Sequence, residues 1–308
     1  MENKDSLVPI ANFWLTKILS TLNLLFYCFI LLPYVFDKKQ KTYPRILHIQ
    51  IILCGIVHSI SYYIITLEDH IQNDDKRQQT LYIKCSFQGS MQVIADIGLS
   101  SILSIIVILT NSFILEPESY VSRLKIYYIV NVFTWVLALS IALGLNFGVN
   151  FQYFTNDRFC WLNGSASLGY YIVYVIFYVI NLCFVLKIRR DLIIITKGTN
   201  SLSIEFQKYF SRVRNYLISV IYTLVVCAFD ASLYIFTNED NQFLIILSLI
   251  VHIGGVTVKL ITVFLYTLNR DMWNEIKMFY CCKQLPNDSN DYQDIDLARK
   301  STIFELTS

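Results

Sequence analysis

Three ionisable side chains, Asp96, Asp230 and Lys259, stand inside long apolar stretches, with His58 and His252 as neutral polar companions. A charge at the centre of a bilayer costs about 2.5 to 3.5 kcal/mol on insertion scales, so such residues face a bundle interior and find partners. The chemistry open to them is ion pairing, proton exchange or, for a lysine amine, a Schiff base with a carbonyl compound. At 1.5 Å rise per helical residue, Asp96 lies about 16 Å below Cys85, and Lys259 about 24 Å below the outer end of its stretch. A lysine side chain extended toward its partner closes most of that offset, so the spacing predicts an Asp96–Lys259 ion pair. Asp230 and His252 fall at about 10 and 13 Å on consecutive stretches, which predicts a hydrogen bond between them. Such pairs either hold a resting state that a ligand or proton competes for, or only fix helix packing.

Other chemistry leaves no mark. The chain has no His-Glu-x-x-His zinc site, no paired aspartates in adjacent apolar stretches with flanking glycines, and no Gly-x-Ser-x-Gly elbow, so neither an enzyme nor a resident cofactor is expected. A formal net charge of +2 gives no global field that would recruit nucleic acid.

The elements that must position these groups follow from hydropathy. Of 308 residues 55% are hydrophobic and only 16% charged, where soluble domains carry about a quarter charged residues. Apolar stretches near the length a helix needs to cross about 30 Å of hydrocarbon run over 13–36, 46–67, 85–115, 126–147, 168–186, 216–236 and 243–268. The expected fold is all-α, a seven-transmembrane-helix bundle spanning 13–268. Residues 1–12 form a short extracellular tail, 269–282 a short amphipathic helix on the inner leaflet, and 283–308 a disordered cytoplasmic tail.

Lys and Arg set the orientation, because they are retained on the cytoplasmic side of short loops. Eighteen of the 25 fall on one set of connecting segments and six on the other, with Lys259 inside the last stretch. The amino terminus is therefore expected outside and the carboxyl terminus inside, in a multi-pass protein of the plasma membrane. The first stretch is followed by Asp37-Lys38-Lys39 and not by a small-residue cleavage site, so it is expected to remain as a span.

With this topology Cys85 and Cys160 are the two cysteines at the outer surface, where oxidation is permitted, and they are expected to pair. Cys28, Cys54, Cys183 and Cys227 read as small apolar packing residues. Asn163-Gly164-Ser165 makes Asn163 a glycosylation acceptor on the outside, whereas the sequon at Asn287 falls in the cytoplasmic tail. The surface helix ends in Cys281-Cys282, placed for palmitoylation or for retention as a reduced pair.

The inner loops are basic. Arg189, Arg190, Arg212 and Arg214, with Ile204, Phe206, Tyr209 and Phe210 between them, extend the fifth and sixth spans as a docking surface for a cytoplasmic partner helix. Positive-inside retention explains part of the same charge.

Taken together, Cys85 at the start of the third span, Glu116-Pro117-Glu118 beyond it, Tyr127-Tyr128 opening the fourth, Cys160-Trp161 in the second outer loop, Gly169-Tyr170 at the fifth, and Tyr266 with Asn269 closing the seventh resemble the cyclic-AMP-receptor-like group of G-protein-coupled receptors. The resemblance implies a small extracellular ligand, a Cys85–Cys160 bridge, and nucleotide exchange on a heterotrimeric G protein contacted by the inner loops. The chain departs from the group at Tyr216-Leu217, where a proline kink belongs, and along the fifth span, where Tyr171 and Tyr178 occur without an arginine. With no guanidinium there to fork onto a phosphate, cyclic AMP itself is not the expected ligand.

A Lys in the seventh span with an Asp in the third is also how retinal proteins hold a Schiff base and its counter-ion. Gly255 stands where microbial rhodopsins carry an Asp, and Arg-Tyr-x-Asp-Trp is missing from the third span. The retinal protein, and a seven-helix protein without G-protein coupling, are the alternative readings.

Overall fold

The computed structural model describes residues 7–36, 43–65, 75–115, 117–148, 151–154, 159–162, 164–197, 213–215, 217–229, 242–267 and 280. The chain divides into two units, Met1–Asn269 and Arg270–Ser308. In the second, Tyr280 is the described residue, and its side chain is exposed.

The described residues of the first unit are helical apart from one short hairpin and the turn at 62–65. Its described helices are α1 (Leu7–Phe36), α2 (Tyr43–Ser61), α3 (Asp75–Leu115), α4 (Pro117–Gly148), α5 (Gly164–Lys197), α6 (Val213–Phe229, with 216 outside the described residues) and α7 (Gln242–Thr267). Four carry a stretch long and apolar enough to cross a membrane: Phe13–Phe36 in α1, Thr80–Leu109 in α3, Ile126–Asn146 in α4 and Gly169–Asp191 in α5. The apolar stretches of α2, α6 and α7 are shorter among the described residues. In α5 the run Tyr171-Ile172-Val173-Tyr174-Val175-Ile176 has the composition of a β-strand in water. In hydrocarbon every backbone N–H and C=O must be satisfied within the segment, and a lone strand cannot do that, so the same residues form helix.

Several helices outrun the apolar stretches that mark them. α3 starts at Asp75 and α4 at Pro117, each well before its stretch becomes apolar, and α5 continues to Lys197. Apolarity reports where lipid begins, whereas helical hydrogen bonding continues into the polar flanks. Pro117 suits the first position of α4, where its missing N–H is not needed. α2 does the reverse and stops at Ser61, inside the expected 46–67 stretch, followed by a turn in which Tyr63 N–H reaches Ile60 C=O at 2.9 Å.

α3 is the hub. Of its apolar stretch 78% is buried, against 33% in α1, 17% in α4 and 28% in α5. α2, α4, α5 and the hairpin pack against it, while α7 closes onto α1 and α2. α6 fits between α5 and α7: Val220 packs with Tyr174 and Tyr178, and Ser219 Oγ meets Thr262 Oγ1 at 2.9 Å.

The distribution of polarity is inverted relative to a water-soluble bundle. Large apolar side chains such as Leu25, Phe133 and Val173 face outward at more than 60% exposure, while Asn23, Gln88, Gln92, Asn131, Asn181 and Lys259 are buried. That arrangement suits lipid as solvent, in which apolar burial drives little and buried polar groups join helices. Asn131 Nδ2 on α4 donates to Gln50 Oε1 on α2 at 3.0 Å, Asn23 Nδ2 on α1 to Val256 C=O on α7 at 3.1 Å, and Asn146 on α4 to Ser90 on α3. Small residues bring backbones close: a Cβ added to Gly55 would stand 2.6 Å from the buried Tyr27 ring, and one on Gly98 2.8 Å from the Trp135 ring.

Residues 151–162, expected as loop, contain a two-stranded antiparallel hairpin, β1 (Phe151–Phe154) and β2 (Phe159–Leu162), with Tyr153 opposite Cys160. A disulfide joins Cys160 on β2 to Cys85 on α3, across 75 residues of sequence. It ties the hairpin to the hub helix over a small apolar cluster of Ile65, Cys85, Cys160 and Leu162.

Candidate functional site

Asp96 sits on the buried face of α3, eleven positions past the Cys85 bridge. Lys259 reaches it from α7, its Nζ against Asp96 Oδ1 in an ion pair, and both residues are more than nine-tenths buried. A third helix contributes to the same carboxylate. Tyr170 near the start of α5 donates its hydroxyl to Asp96 Oδ2 at 3.2 Å. Asp96 thus joins α3, α5 and α7 through two different oxygens.

Below Tyr170 the same face of α5 continues the array. Tyr170, Tyr174 and Tyr178 recur at every fourth residue, so their rings stack along one side of the helix. The Tyr170 and Tyr174 rings lie 5.7 Å apart and nearly parallel, and those of Tyr174 and Tyr178 4.8 Å apart, with their hydroxyls at 3.3 Å. Tyr178 also meets the Ser100 side chain, and Ser100 Oγ in turn donates to the Asp96 C=O at 2.7 Å. The tyrosines pack on Val220, Leu224 and Cys227 of α6, so the column runs from the carboxylate to a fourth helix.

Above Asp96 the hairpin forms the ceiling. Leu162 and Cys160 of β2 pack with Tyr170, whose hydroxyl is on Asp96. On α3 the positions between ceiling and carboxylate include Gln88 and Gln92, both buried. The Cys54 thiol of α2 is buried within the field of both charges.

Just past the carboxyl end of α2, Lys17 of α1 donates to Tyr62 C=O and, at 2.8 Å, to Ile65 C=O. Its ammonium also lies 5.1 Å from the Phe13 ring centre and 5.0 Å from that of Tyr63. Tyr62 and Ile65 lie in the turn that follows α2, where backbone carbonyls have no helical donor, so the ammonium satisfies them close to the negative end of the helix dipole, and the flanking rings add cation–π attraction. This explains how a lysine is accommodated inside the apolar stretch of α1.

The other expected positions are less informative. Arg189 and Arg190 are exposed near the carboxyl end of α5, Arg190 with Asp191 at 3.5 Å, and Arg214 is exposed at the start of α6. Arg212, Asp230, Asn163, Cys281 and Cys282 lie outside the described residues. So does the side chain of His252, and with Asp230 the hydrogen bond expected between the two. His58 is buried with its ring edge-on to Tyr62. Among the described residues no group of three or more His, Cys, Asp or Glu side chains converges as a metal site.

The site contains partners that charge placement did not bring out. Tyr170 was singled out by position and not as a ligand of Asp96; the four-residue period of tyrosines 170, 174 and 178 was the available signal, since it puts three hydroxyls on one helical face. Lys17 was counted as an outer-loop charge, and its contacts to the turn after α2 depend on where α2 ends, which apolarity did not mark. No protein-family model matches the chain, and no curated protein matches it.

Proposed function

We propose that this chain is a seven-helix receptor, amino terminus outside and carboxyl terminus inside, that answers a small extracellular ligand by promoting nucleotide exchange on a heterotrimeric G protein. The observation that carries the reading is the buried Asp96–Lys259 pair, shared with Tyr170, beneath a disulfide-tethered hairpin. A charge pair costs much to bury and does little for net stability, whereas breaking it by removing one partner is strongly unfavourable. It therefore suits a two-state device: intact, it holds α3, α5 and α7 in one arrangement, and a ligand that competes for Asp96 releases α5. Because the tyrosine column rests on α6, that release reaches the helix bordering the exposed Arg214, and Arg189, Arg190, Arg212 and Arg214 form the inner rim that meets the G protein. In this reading the seventh span completes the bundle, and the second unit is the inner-leaflet helix and tail, with no enzyme activity in the chain.

The test is nucleotide exchange measured with a panel of heterotrimeric G proteins in membranes containing the full chain or its Lys259→Met variant. Exchange above that of empty membranes in either supports the receptor. No exchange with any G protein, from correctly inserted protein in which the pair is broken, leaves a seven-helix protein without coupling.

The Lys259–Asp96 geometry also favours a second reading, in which the Lys259 amine carries a retinal Schiff base with Asp96 as counter-ion. Protein purified after growth with retinal and showing no visible absorption excludes it.

A further inference from the structure

The face of α3 that carries Asp96 is a column of polar residues at four-residue spacing, Gln88, Gln92, Asp96 and Ser100. Positions four apart lie on one side of a helix, about 6 Å apart along its axis, so the column descends from just below the Cys85 bridge to the ion pair. Gln88 is 1% exposed and Gln92 3% exposed, and the Oε1 of each has no donor among the described residues. A carbonyl oxygen without a donor is costly in a protein interior, and more so where the surroundings are lipid. The third acceptor is Asp96 Oδ2, whose donor among the described residues, Tyr170 at 3.2 Å, lies beyond the usual range for O–H···O contacts. The row therefore presents three acceptors, two unpartnered and one weakly held, and asks for donors.

Charge restricts the class further. Lys259 already cancels Asp96, and the facing stretches, 85–115 of α3, 164–186 of α5 and 242–267 of α7, carry no other Lys, Arg, Asp or Glu. A ligand with its own net charge would bring an unpaired charge into this interior, whereas a neutral donor on Oδ2 replaces Tyr170 and leaves Oδ1 with Lys259.

We infer that Gln88, Gln92 and Asp96 form the recognition row for a small uncharged polyol, whose hydroxyl groups donate to the two Gln carbonyls and to Asp96 Oδ2 in place of Tyr170. This rests on the receptor reading, of which it names the ligand class. Displacing the Tyr170 hydroxyl frees α5 without breaking the ion pair, so the ligand acts on the tyrosine column first. The hairpin, packed on Tyr170 through Leu162, is the element the polyol passes on entry.

Three probes of one length and different charge test it: sorbitol, its terminal carboxylate gluconate and its terminal amine glucamine. Saturation-transfer NMR on the full chain in lipid nanodiscs is expected to show sorbitol binding at least tenfold more tightly than either charged analogue. Gln88→Met and Gln92→Met, which keep side-chain volume and remove the acceptor, are each expected to weaken sorbitol at least fivefold. A charged analogue that binds as tightly as sorbitol, sorbitol binding unchanged in the double Gln variant, or no sorbitol transfer at all overturns the assignment. If the variants do not fold, the charge series on the unaltered protein decides. Binding is read without a G protein, so the receptor reading fails separately, by sorbitol binding that never alters nucleotide exchange under any G protein.

Discussion

The Tyr170 hydroxyl and the Lys259 ammonium share one carboxylate, each on its own oxygen, so α5 and α7 are both tied to α3 at Asp96. The two ties differ in kind. One is a charge pair whose loss strands an ion, the other a long neutral-donor hydrogen bond whose loss strands at most a hydroxyl, and substitutions at the two positions should separate accordingly.

Lys259→Met leaves Asp96 buried without its counter-charge. Breaking a buried pair from one side typically costs about 3 to 5 kcal/mol, and the Asp96→Asn, Lys259→Met double variant should recover much of it because no lone charge remains. Thermal stability in nanodiscs measures this. If the pair is the resting lock, the single variant also raises basal nucleotide exchange and the double variant resembles it; unchanged basal exchange at normal expression assigns the pair to packing alone.

Tyr170→Phe removes one hydrogen bond to a charged acceptor, an interaction typically worth about 1.5 to 3 kcal/mol, and its 3.2 Å length places this one at the low end. Stability should fall modestly. Basal exchange should rise by less than in Lys259→Met, while Tyr128→Phe, at an exposed position of α4 outside the tyrosine column, should leave the basal level unchanged. Equal effects of the two Phe substitutions would argue against a specific role of the Tyr170–Asp96 hydrogen bond.

Cys85→Ser or Cys160→Ser opens a loop closed across 75 residues. A disulfide of that kind typically contributes about 2 to 4 kcal/mol, so surface delivery and ligand response should fall together. Non-reducing peptide mapping of the unaltered protein should recover the two cysteines as one linked peptide pair.

Gly98→Ala and Gly55→Ala place a methyl against the rings of Trp135 and Tyr27, at 2.8 and 2.6 Å, and overpacking of this sort costs about 1 to 3 kcal/mol. Gly144 has nothing within 4 Å of an added Cβ, and an alanine there gains up to about 1 kcal/mol of helix propensity. Melting temperatures should move down, down and up. A Gly98→Ala protein as stable as its parent would show that the contact between α3 and α4 is looser than the geometry indicates.

If the chain is the receptor proposed, reversing the charges of Arg189, Arg190, Arg212 and Arg214 should abolish nucleotide exchange while ligand binding survives. Because these residues also help set orientation, loss of both properties would indicate misinsertion.

Lipid as solvent could be read from the chain alone, because about 20 consecutive apolar residues leave a helix no other way to satisfy its backbone. The depth of a charge along a helix was legible for the same reason, since a fixed rise per residue turns sequence distance into depth, and Asp96 and Lys259 could be matched before any fold was known. The pairing of Cys85 with Cys160 needed only the compartment each cysteine occupies. Rotation about each helix axis was not legible. In stretches apolar on every side, periodicity does not say which face turns inward, so neither the burial of α3 nor the meeting of Tyr170 with Asp96 could be read from spacing. The hairpin escaped for a related reason: it is held against α3 through Cys160, a contact between residues 75 apart. Tertiary packing therefore decided which of many equally apolar faces became the interior, and with it which polar side chains had to find one another.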